Sequence, residues 1–511
     1  MDPRATAEVS TISAPTPKDM SAATHNRWVA SRQRARMVEG TWQTDAEEAV
    51  HTAMRSSERA DHYAQNVDLS KCLLRDVNVQ TAVLHDRDPV LSAADADGLG
   101  RFRSVLARAQ LWPLMQTAQV MIDAQREGLV RVEVIEDQTA PEGSPRLNFR
   151  QVRADLLDTD GYENPDDPTE ILGFEEWRPR TVDNRLQWFR DVLDVRDPLR
   201  PRYQVLDADG VDASDRFLVS PAGVSGRMVG ADYPFRLSDG RPVMPGSFYH
   251  ARKTSKTWDP HFGVELVSAT LMAAVYWTFW GHCVLDSSWP QRAGIDVQPA
   301  GGVRTNTDSA SPRVARIVTD PNVLLLFRST GGKAGTLFQF DPAASPKTLG
   351  EAIQAYMQNA LSGWGIAPDS AQRVSNTRSG YAISLSNAAK RDAQRKSAQT
   401  YEAADLRLLQ VAAALWNRWG TGEHAGKVPE TGLTLEYRGV PLSAEEERME
   451  IERWKVLAEL GVKSRVDLLA RVEGITREEA KTRLAQIQQD ESLYGADKGS
   501  LGAIPLALQQ I

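Results

Sequence analysis

The feature that most constrains this chain is a single helical pattern that runs without a proline from Ala382 to Trp419. It follows a polar loop, it is rich in alanine, serine and basic residues, and Gly420 and Gly422 come directly after it, as is common where a helix ends. At 1.5 Å per residue this helix would be about 57 Å long, which is enough to cross a whole domain. A chain with no visible active site needs a structural reason for a helix of this length.

Size and charge limit the class of protein. The chain has 511 residues, a formal net charge of −8 and 41% hydrophobic residues, which fits a globular protein of about three domains. Domains that coat nucleic acid are usually basic, so the acidic balance argues against such a protein but permits one that DNA passes without sticking. The two cysteines, Cys72 and Cys283, are no disulfide framework and fit a reducing cytosol. The first 18 residues lack the apolar segment of a secretory signal, and we expect them to form a disordered arm.

The first half of the chain has the pattern of an α+β unit. Apolar spacing predicts helices over 21–53, 67–86 and 93–127, the last of which should kink or restart at Pro113. Alternating apolar residues and turn-rich boundaries predict strands over 129–135, 147–157, 169–179, 202–206 and 215–219. Residues 41–260 are therefore predicted to form one α+β unit.

A different order of parts follows. An apolar helix begins near Pro260, a glycine-rich, strand-like segment covers 287–342, and a second helix is predicted over 345–364. The surest strands of the insert are at 323–327 and 336–340. The two helices can run antiparallel as a stalk with the insert at its tip, and we expect identical neighbours around an axis to cover its apolar faces. After the long helix come a strand at 433–437 and helices whose capping boxes begin at Ser443 and Thr476.

The apolar helix at 264–285 has a membrane span as its alternative interpretation. Its least interrupted part, 266–280, is only 15 residues long and contains Ser268, Thr270 and Thr278, whereas a span needs about 20 residues. We therefore expect a helix that is buried in protein on most sides.

No motif in the chain carries enzymatic chemistry. The stretch STGGKAGT at 329–336 lacks the first glycine of a phosphate-binding loop and the Ser or Thr after its lysine, so we interpret it as a hairpin turn. The sequence around Ser225 has the wrong spacing for a nucleophile elbow. The acidic run GYENPDDPTE at 161–170 lacks the spacing of a calcium loop and is interpreted as a solvated turn, with a cation site as the alternative. Histidines 250, 261 and 282 have no i, i+4 partner and no clustered carboxylate. We expect no catalytic, cofactor-binding or metal-binding residues, and no enzyme.

Three stretches resemble the portal proteins of tailed bacteriophages, the head-to-tail connectors that form a DNA-packaging channel. They are LGEAIQAYMQNALSGWGIAPDS at 349–370, SGYAISLSNAAKRDAQRKSAQTYEAADLRLLQVAAALW at 379–416, and VKSRVDLLARVEGITREEAKTRLAQIQQDE at 462–491. The segment DTDGYENPDDPTEILGFEEWR at 158–178 is also similar to the wing region of such portals. The resemblance covers about residues 60–491 in the order of parts and rests on architecture rather than on a short motif.

The resemblance implies an α+β portal-like ring subunit with an α+β wing, a two-helix stem, a small β-rich clip, a long wing helix and a helical crown. The implied domains are an N-terminal arm at 1–40, the wing at 41–260, stem helix 1 at 261–285, the clip at 286–343, stem helix 2 at 344–366, a tunnel loop at 367–380, the long wing helix and return strand at 381–442, the crown at 443–491 and a tail at 492–511. In a ring, commonly of twelve subunits, the long helix would hold the tunnel loop at the axis. The small residues Ala388, Ala389, Ser397 and Ala398 would permit close packing of that helix.

The resemblance also implies functional residues and partners. The DNA-channel lining would consist of the tunnel-loop residues Arg373, Asn376, Arg378 and Ser379. Lys390 and Arg391 would make secondary DNA contacts, with a solvated helix face paired with Asp392 as the alternative. Double-stranded DNA would pass non-specifically, and the protein partners would be the terminase large subunit, the head–tail adaptor, the major capsid protein and a scaffold. The ring would be assembled in the host cytoplasm and located at one capsid vertex of the virion, with no cofactor and no membrane.

Three other classes remain as alternatives. One is another capsid-associated structural protein, such as a minor head protein, which need not form a closed ring. Another is a membrane-associated assembly factor anchored by residues 264–285. The third is an enzyme whose site the sequence does not reveal.

Overall fold

A computed structural model describes the chain over the following residues: 22–54, 56–136, 145–167, 170–197, 199–217, 236–252, 264–288, 291–295, 297–299, 327–329, 336–340, 345–364, 380–420, 427–438, 448, 451–454, 456–457, 460–461, 464–473 and 477–494. The chain divides into two compact units. The first consists of Met1–Val374 and Ala393–Tyr437, and the second of Ser375–Asp392 and Arg438–Ile511.

Helices and strands alternate as in an α+β protein. The helices are α1 (Ala22–Glu39), α2 (Gln43–Ala53), α3 (Ser57–Ala64), α4 (Leu73–Thr81), α5 (Ala96–Arg108), α6 (Leu111–Gln125), the single turn α7 (Ser214–Phe217), α8 (Val264–Ser288), α9 (Pro346–Ser362), α10 (Gly380–Trp419), α11 (Arg465–Glu473) and α12 (Arg477–Tyr494). The strands are β1 (Val90–Ser92), β2 (Glu127–Glu136), β3 (Pro145–Arg153), β4 (Leu157–Asp158), β5 (Gly173–Val182), β6 (Arg185–Asp194), β7 (Arg202–Leu206), β8 (Gly246–His250), β9 (Gln291–Ile295), β10 (Val297–Pro299), β11 (Phe327–Ser329), β12 (Thr336–Phe340) and β13 (Thr434–Glu436).

Local sequence signals explain where several helices begin and end. Gly40, with φ of 81°, separates α1 from α2, since glycine adopts left-handed backbone without a steric cost. The side chain of Asp95 caps α5 by accepting a hydrogen bond from the Gly98 N–H at 2.9 Å. The long helical pattern at 93–127 restarts at Gln110, whose φ is 52°. Pro113 consequently lies in the first turn of α6, where its missing N–H costs little.

Two antiparallel sheets form the centre of the first unit. One has the strand order β3-β2-β8 and the other the order β4-β5-β6-β7. Strands β5 and β6 are joined by a two-residue turn at Asp183 and Asn184, which both have positive φ, as the tight hairpin turn that matches strand twist requires.

Strand β2 uses its two faces for different partners. A Cβ at Gly128 would lie 2.9 Å from the Ile122 side chain, so this face of β2 packs closely against α6. Successive side chains of a strand point to opposite faces, so Arg131 lies on the face opposite to Gly128. There Arg131 reaches Glu176 of β5 and Asp191 of β6, with 2.8 Å to each carboxylate. The first unit thus has a helix layer, a three-stranded sheet and a four-stranded sheet, with buried ion pairs between the two sheets.

The second unit is helical in its described part. Ser464 and Asp467 form a reciprocal cap at the start of α11, because each side chain accepts a hydrogen bond from the backbone N–H of the other residue. Arg477, the first residue of α12, lies 3.3 Å from the Asp467 carboxylate. The cap and the ion pair lie in the C-terminal part of the chain, which the sequence predicts to be helical.

Several sequence predictions are confirmed and a few are wrong. The strand at 129–135, the strand at 202–206, the second stalk helix and the long helix lie where they were expected. The helix predicted over 67–86 covers only Leu73–Thr81. The segment 215–219 is no strand in its described part, because Ser214–Phe217 forms a helical turn. The stretch around Ser225, residues 323–326 of the strand predicted at 323–327, and the capping box at 443–446 lie outside the described residues.

Candidate functional site: a helical stem and an anchored long helix

Helices α8 and α9 form an antiparallel pair, which we call the stem. Near its far end, the Trp280 indole N–H donates to the Pro346 carbonyl oxygen at 2.8 Å. One turn earlier on α8, the ring of Tyr276 meets that of Tyr356 edge-on at 5.4 Å. At the near end, Leu361 shares a hydrophobic cluster with Leu266. Contacts nearer the end of α8 are made by residues nearer the start of α9. The two helices are therefore antiparallel, as the sequence predicts.

The near end of α8 is buried by other helices of the same chain. Leu266, Ala273 and Ala274 are at most 1% exposed. The residues that cover them share the cluster and come from α1, the loop after it, α2 and the start of α4: Met37, Trp42, Ala46, Cys72, Leu73, Leu74 and Val77. The expectation that copies of the chain must cover the apolar stalk is therefore wrong for this half of α8, which its own chain covers.

Two threonines explain why polar residues interrupt the apolar pattern of α8. The Thr270 hydroxyl accepts a hydrogen bond from the Leu74 N–H at 3.0 Å and donates to the Leu266 carbonyl at 2.8 Å. Leu74 lies in the first turn of α4, where backbone N–H groups lack a partner within the helix. Two turns later, Thr278 accepts from the Asp68 N–H and donates to the Ala274 carbonyl. These hydroxyls fix α8 to the first turn of α4 and to the loop that precedes it. Within the described residues no helix has the length and hydrophobicity of a membrane span.

The far end of the stem continues into paired strands. Strand β9, shortly after α8, pairs antiparallel with β12, shortly before α9. Strand β10 pairs antiparallel with β11. Residues 330–335 of the stretch interpreted as a hairpin turn lie outside the described part of the chain. Within the described residues, the strands on either side of it, β11 and β12, pair with β10 and β9 and not with each other, so the hairpin interpretation gains no support. A strand also follows it, where a phosphate-binding loop needs a helix.

The long helix α10 is anchored in the first unit by buried polar side chains. Tyr401 and Asp405 are four residues apart and so lie on one face of the helix. The Asp405 carboxylate accepts hydrogen bonds from the hydroxyls of Tyr249, at 2.8 Å, and Tyr437, at 2.5 Å, and lies 2.9 Å from His85 Nε2. The side chains of His85 and Asp405 are at most 1% exposed. Around them Leu408, Leu409 and Ala412 of α10 belong to the largest hydrophobic cluster of the first unit.

A second carboxylate extends this buried polar cluster. Asp123 on α6 accepts hydrogen bonds from the Tyr401 hydroxyl at 2.9 Å and from the Gln119 amide at 3.4 Å. Burial raises the pKa of the Asp123 carboxyl to about 6, although the Tyr401 hydroxyl and the charge of Arg126 act in the opposite direction. We call His85, Gln119, Asp123, Tyr249, Tyr401, Asp405 and Tyr437 the anchor cluster.

Sequence reasoning missed the anchor cluster, although a signal was present. Gln119 and Asp123 are four residues apart on α6, as Tyr401 and Asp405 are on α10. A polar pair at this spacing on the apolar face of a helix marks a place where two helices exchange hydrogen bonds. The remaining members come from segments whose positions depend on the tertiary fold.

The site residues that the resemblance implies are mostly outside the described part of the chain. Arg373, Asn376, Arg378 and Ser379 lie there, as does the side chain of Lys390. The side chain of Arg391 is half-buried on α10. Ala398, predicted to permit close packing, lies against the largest hydrophobic cluster.

Two carboxylates just before the acidic run at 161–170 are paired with a cation from the chain itself. Arg27 of α1 lies 3.6 Å from the Asp158 carboxylate and 3.8 Å from that of Asp160. The same guanidinium donates to the Leu157 carbonyl at 3.0 Å. Within the described residues there is no group of three or more His, Cys, Asp or Glu side chains that could hold a metal ion.

Comparison with known proteins gives distant structural neighbours. No family model matches the chain, and no curated protein matches it. Among solved structures, a chain of "Neck of empty GTA particle computed with C6 symmetry" is 15% identical, with 79% of this chain and 89% of that chain covered at a TM-score of 0.35. A chain of "Virion of native gene transfer agent (GTA) particle" is also 15% identical, with 84% and 94% covered at a TM-score of 0.32. TM-scores this low do not establish a common fold, so the function has to be argued from the chain's own residues.

Proposed function

We propose that this chain is the subunit of a phage portal, a ring at one capsid vertex through which double-stranded DNA is packaged and ejected. The ring would also be the docking platform for the terminase motor and the head–tail adaptor. It would act as a structural conduit without catalysis or a cofactor.

The observation that carries the proposal is the antiparallel stem that rises from the α+β body and ends in paired strands. A hydrogen bond between Trp280 and Pro346 closes its far end, and β9 and β12 continue both helices into one strand pair. The order body, stem helix, strand insert, stem helix, long helix and helical C-terminal part is the order that the portal resemblance implies. In that arrangement the strand insert would be the clip that contacts the motor.

The chemistry of the outer stem surface is suited to a conduit. Between Ala352 and Ser362, α9 contains no charged residue, and its exposed positions there are Ala352, Gln354, Ala355, Asn359 and Ser362. Each phosphate that a protein neutralises adds salt-dependent affinity. A wall of small and amide side chains would let DNA pass without holding it, whereas Arg373 and Arg378 would supply limited positive charge from the tunnel loop.

The anchor cluster supports the role proposed for the long helix. A helix of 40 residues, Gly380–Trp419, is about 60 Å long. Buried hydrogen bonds at Tyr401 and Asp405 hold its second half in the first unit. A helix held in this way could act as a rafter that carries the tunnel loop to the ring axis.

Single-particle electron microscopy of the purified full-length chain tests the proposal. We expect closed rings, commonly of twelve subunits, with a central hole wide enough for a DNA duplex, and light scattering should give a mass that is a multiple of the subunit mass. DNA retention by the rings should be weak and should decrease steeply with salt. A ring with a filled centre, or a chain that stays monomeric at every concentration and in the presence of scaffold, would contradict the proposal. The second outcome would favour a minor head protein.

A further inference from the structure

Both ring nitrogens of His85 face oxygen atoms. Nδ1 lies 3.2 Å from Gln119 Oε1, and Nε2 lies 2.9 Å from Asp405 Oδ2. The orientation of the Gln119 amide follows from its other partners, because the Leu84 N–H donates to Oε1 at 3.2 Å and Nε2 donates to the Asp123 carboxylate. The atom facing His85 Nδ1 is therefore an acceptor, and Nδ1 must carry a hydrogen.

A second hydrogen has to lie between His85 Nε2 and Asp405. Both oxygens of this carboxylate already accept hydrogen bonds, Oδ1 from the Tyr249 hydroxyl and Oδ2 from the Tyr437 hydroxyl. A bare nitrogen lone pair opposite a carboxylate oxygen would be repulsive in a site from which water is excluded. The histidine–aspartate pair thus holds two protons in this geometry and is neutral as a whole, which is the form in which such a pair tolerates burial.

From this geometry we propose that His85 and Asp405 form a proton-dependent lock between the long helix and the body. With both protons in place, His85 bridges Gln119 of α6 and Asp405 of α10. Loss of the second proton replaces an attractive contact with repulsion between Nε2 and Oδ2. The contact between α10 and the body should then weaken locally around Asp405, while the apolar contacts of α10 keep the helix in place. The inference does not depend on the portal proposal.

The groups that face the lock come from each of the described elements packed around it. Gln119 and Asp123 come from α6, Tyr401 from α10, Tyr249 from β8 and Tyr437 from the residue after β13. The indole of Trp112 is stacked on the His85 ring at 6.1 Å. Asp123 is the other titratable carboxyl of the cluster, and since its pKa is about 6, it is ionised at neutral pH. Its negative charge lies close to the lock, and because the open state is the one that has lost a proton, the lock opens as pH rises.

Hydrogen exchange of the full-length protein measures the lock directly. Peptides that cover residues 397–412 should lose about tenfold in protection between about pH 6 and about pH 9, after correction for the intrinsic exchange rate. His85→Gln has a side chain that does not titrate, so its protection should be independent of pH over this range. His25→Asn changes an exposed histidine on α1 and should retain the wild-type step.

A second variant separates loss of the lock from loss of folding. In Asp405→Asn the side-chain amide can donate to Nε2 of the neutral ring, so the variant should be folded at high pH and should lack the step. The proposal is overturned if the wild-type protein shows constant protection across the range, or if His85→Gln or Asp405→Asn keeps the wild-type step. Nitrogen-15 shifts of the His85 ring give an independent check, because the lock requires two protonated nitrogens in the closed state and one in the open state.

Discussion

The body and the stem bury their regular elements with different chemistry. Between the two sheets of the body lies a layer of charged side chains, in which Arg131 contacts Glu176 and Asp191 and donates to the Tyr203 hydroxyl. The two stem helices meet through aromatic rings and two indole hydrogen bonds, from Trp280 to the Pro346 carbonyl and from Trp277 to the Met357 sulfur. Charged groups fix one relative position of two sheets and tolerate no missing partner, whereas aromatic packing permits small shifts at low cost. We therefore expect single substitutions in the body to cost more than those in the stem.

The largest effect is expected for Arg131→Met. The substitution removes the cation that Glu176 and Asp191 share, both at most 1% exposed, and leaves each with one arginine, Arg150 or Arg180. Removal of one partner from a buried ion pair costs about 3–5 kcal/mol. Urea denaturation measures the free energy of unfolding. The matched control is Arg190→Met on β6 of the four-stranded sheet, whose partner Glu175 is half-exposed, with an expected loss below about 1 kcal/mol. Equal losses in the two variants would show that the charge layer has no special importance.

The second largest effect is the pH dependence of the free energy of unfolding, to which the carboxyls of Asp123 and Glu176 contribute with opposite sign. The pKa of Asp123 is raised to about 6, so its contribution to stability is complete below about pH 4 and is lost as pH rises through 6, a change of about 3 kcal/mol. Burial alone would raise the pKa of Glu176, but Arg150 and Arg131 hold it well below its usual range. Its contribution is present above about pH 4.5 and is lost at more acidic pH.

Unfolding free energy measured from about pH 4 to about pH 6 tests this assignment. Asp123→Asn should remove the decline over that interval, because the amide stays neutral, and it should leave the loss at lower pH in place. An unchanged decline in this variant would assign the titration to another group.

The sequence predicted elements whose signals are local. Ser345 and Pro346 mark the start of α9, and the Ser345 side chain does accept a hydrogen bond from the Thr348 N–H. Strand β2 and helix α10 likewise follow from alternation and from an uninterrupted helical pattern. These features need no information from distant parts of the chain.

Elements that depend on distant partners escaped prediction. Strand β8 has only five residues, without alternation, and becomes a strand because it pairs with β2, as in the register of Tyr249 with Gly128. Strand β6 carries Asp191 at a buried position, which is acceptable only because Arg131 of another sheet reaches it. The anchor cluster escaped for the same reason, since His85 and Asp405 are 320 residues apart in the chain. A polar pair on an apolar helix face can show that a partner exists, but only the fold identifies which residue that partner is.

An intermediate effect is expected where the body holds the long helix. Tyr249→Phe removes one donor from the Asp405 carboxylate, and a buried acceptor that loses a partner costs about 1–3 kcal/mol. Tyr162→Phe removes a comparable hydroxyl from Glu175 in a half-exposed setting and should cost less than about 1 kcal/mol. The two values come from thermal unfolding at neutral pH. A smaller loss for Tyr249→Phe than for Tyr162→Phe would mean that Asp405 does not depend on this donor.

The smallest effect, in the stem, distinguishes a packed helix face from an open one. Gly281 of α8 and Gly350 of α9 both lie inside helices, where alanine is favoured over glycine by about 1 kcal/mol. A Cβ at Gly281 would meet no atom within 4 Å, whereas a Cβ at Gly350 would lie 3.1 Å from the Trp280 indole nitrogen. Gly281→Ala should therefore stabilise the protein by most of that amount. Gly350→Ala should gain little or nothing, because the Cβ displaces the indole from its hydrogen bond to the Pro346 carbonyl. If the two variants show equal stabilisation, the ring of Trp280 shifts freely, and the stem is then less tightly packed at its far end than the indole hydrogen bond indicates.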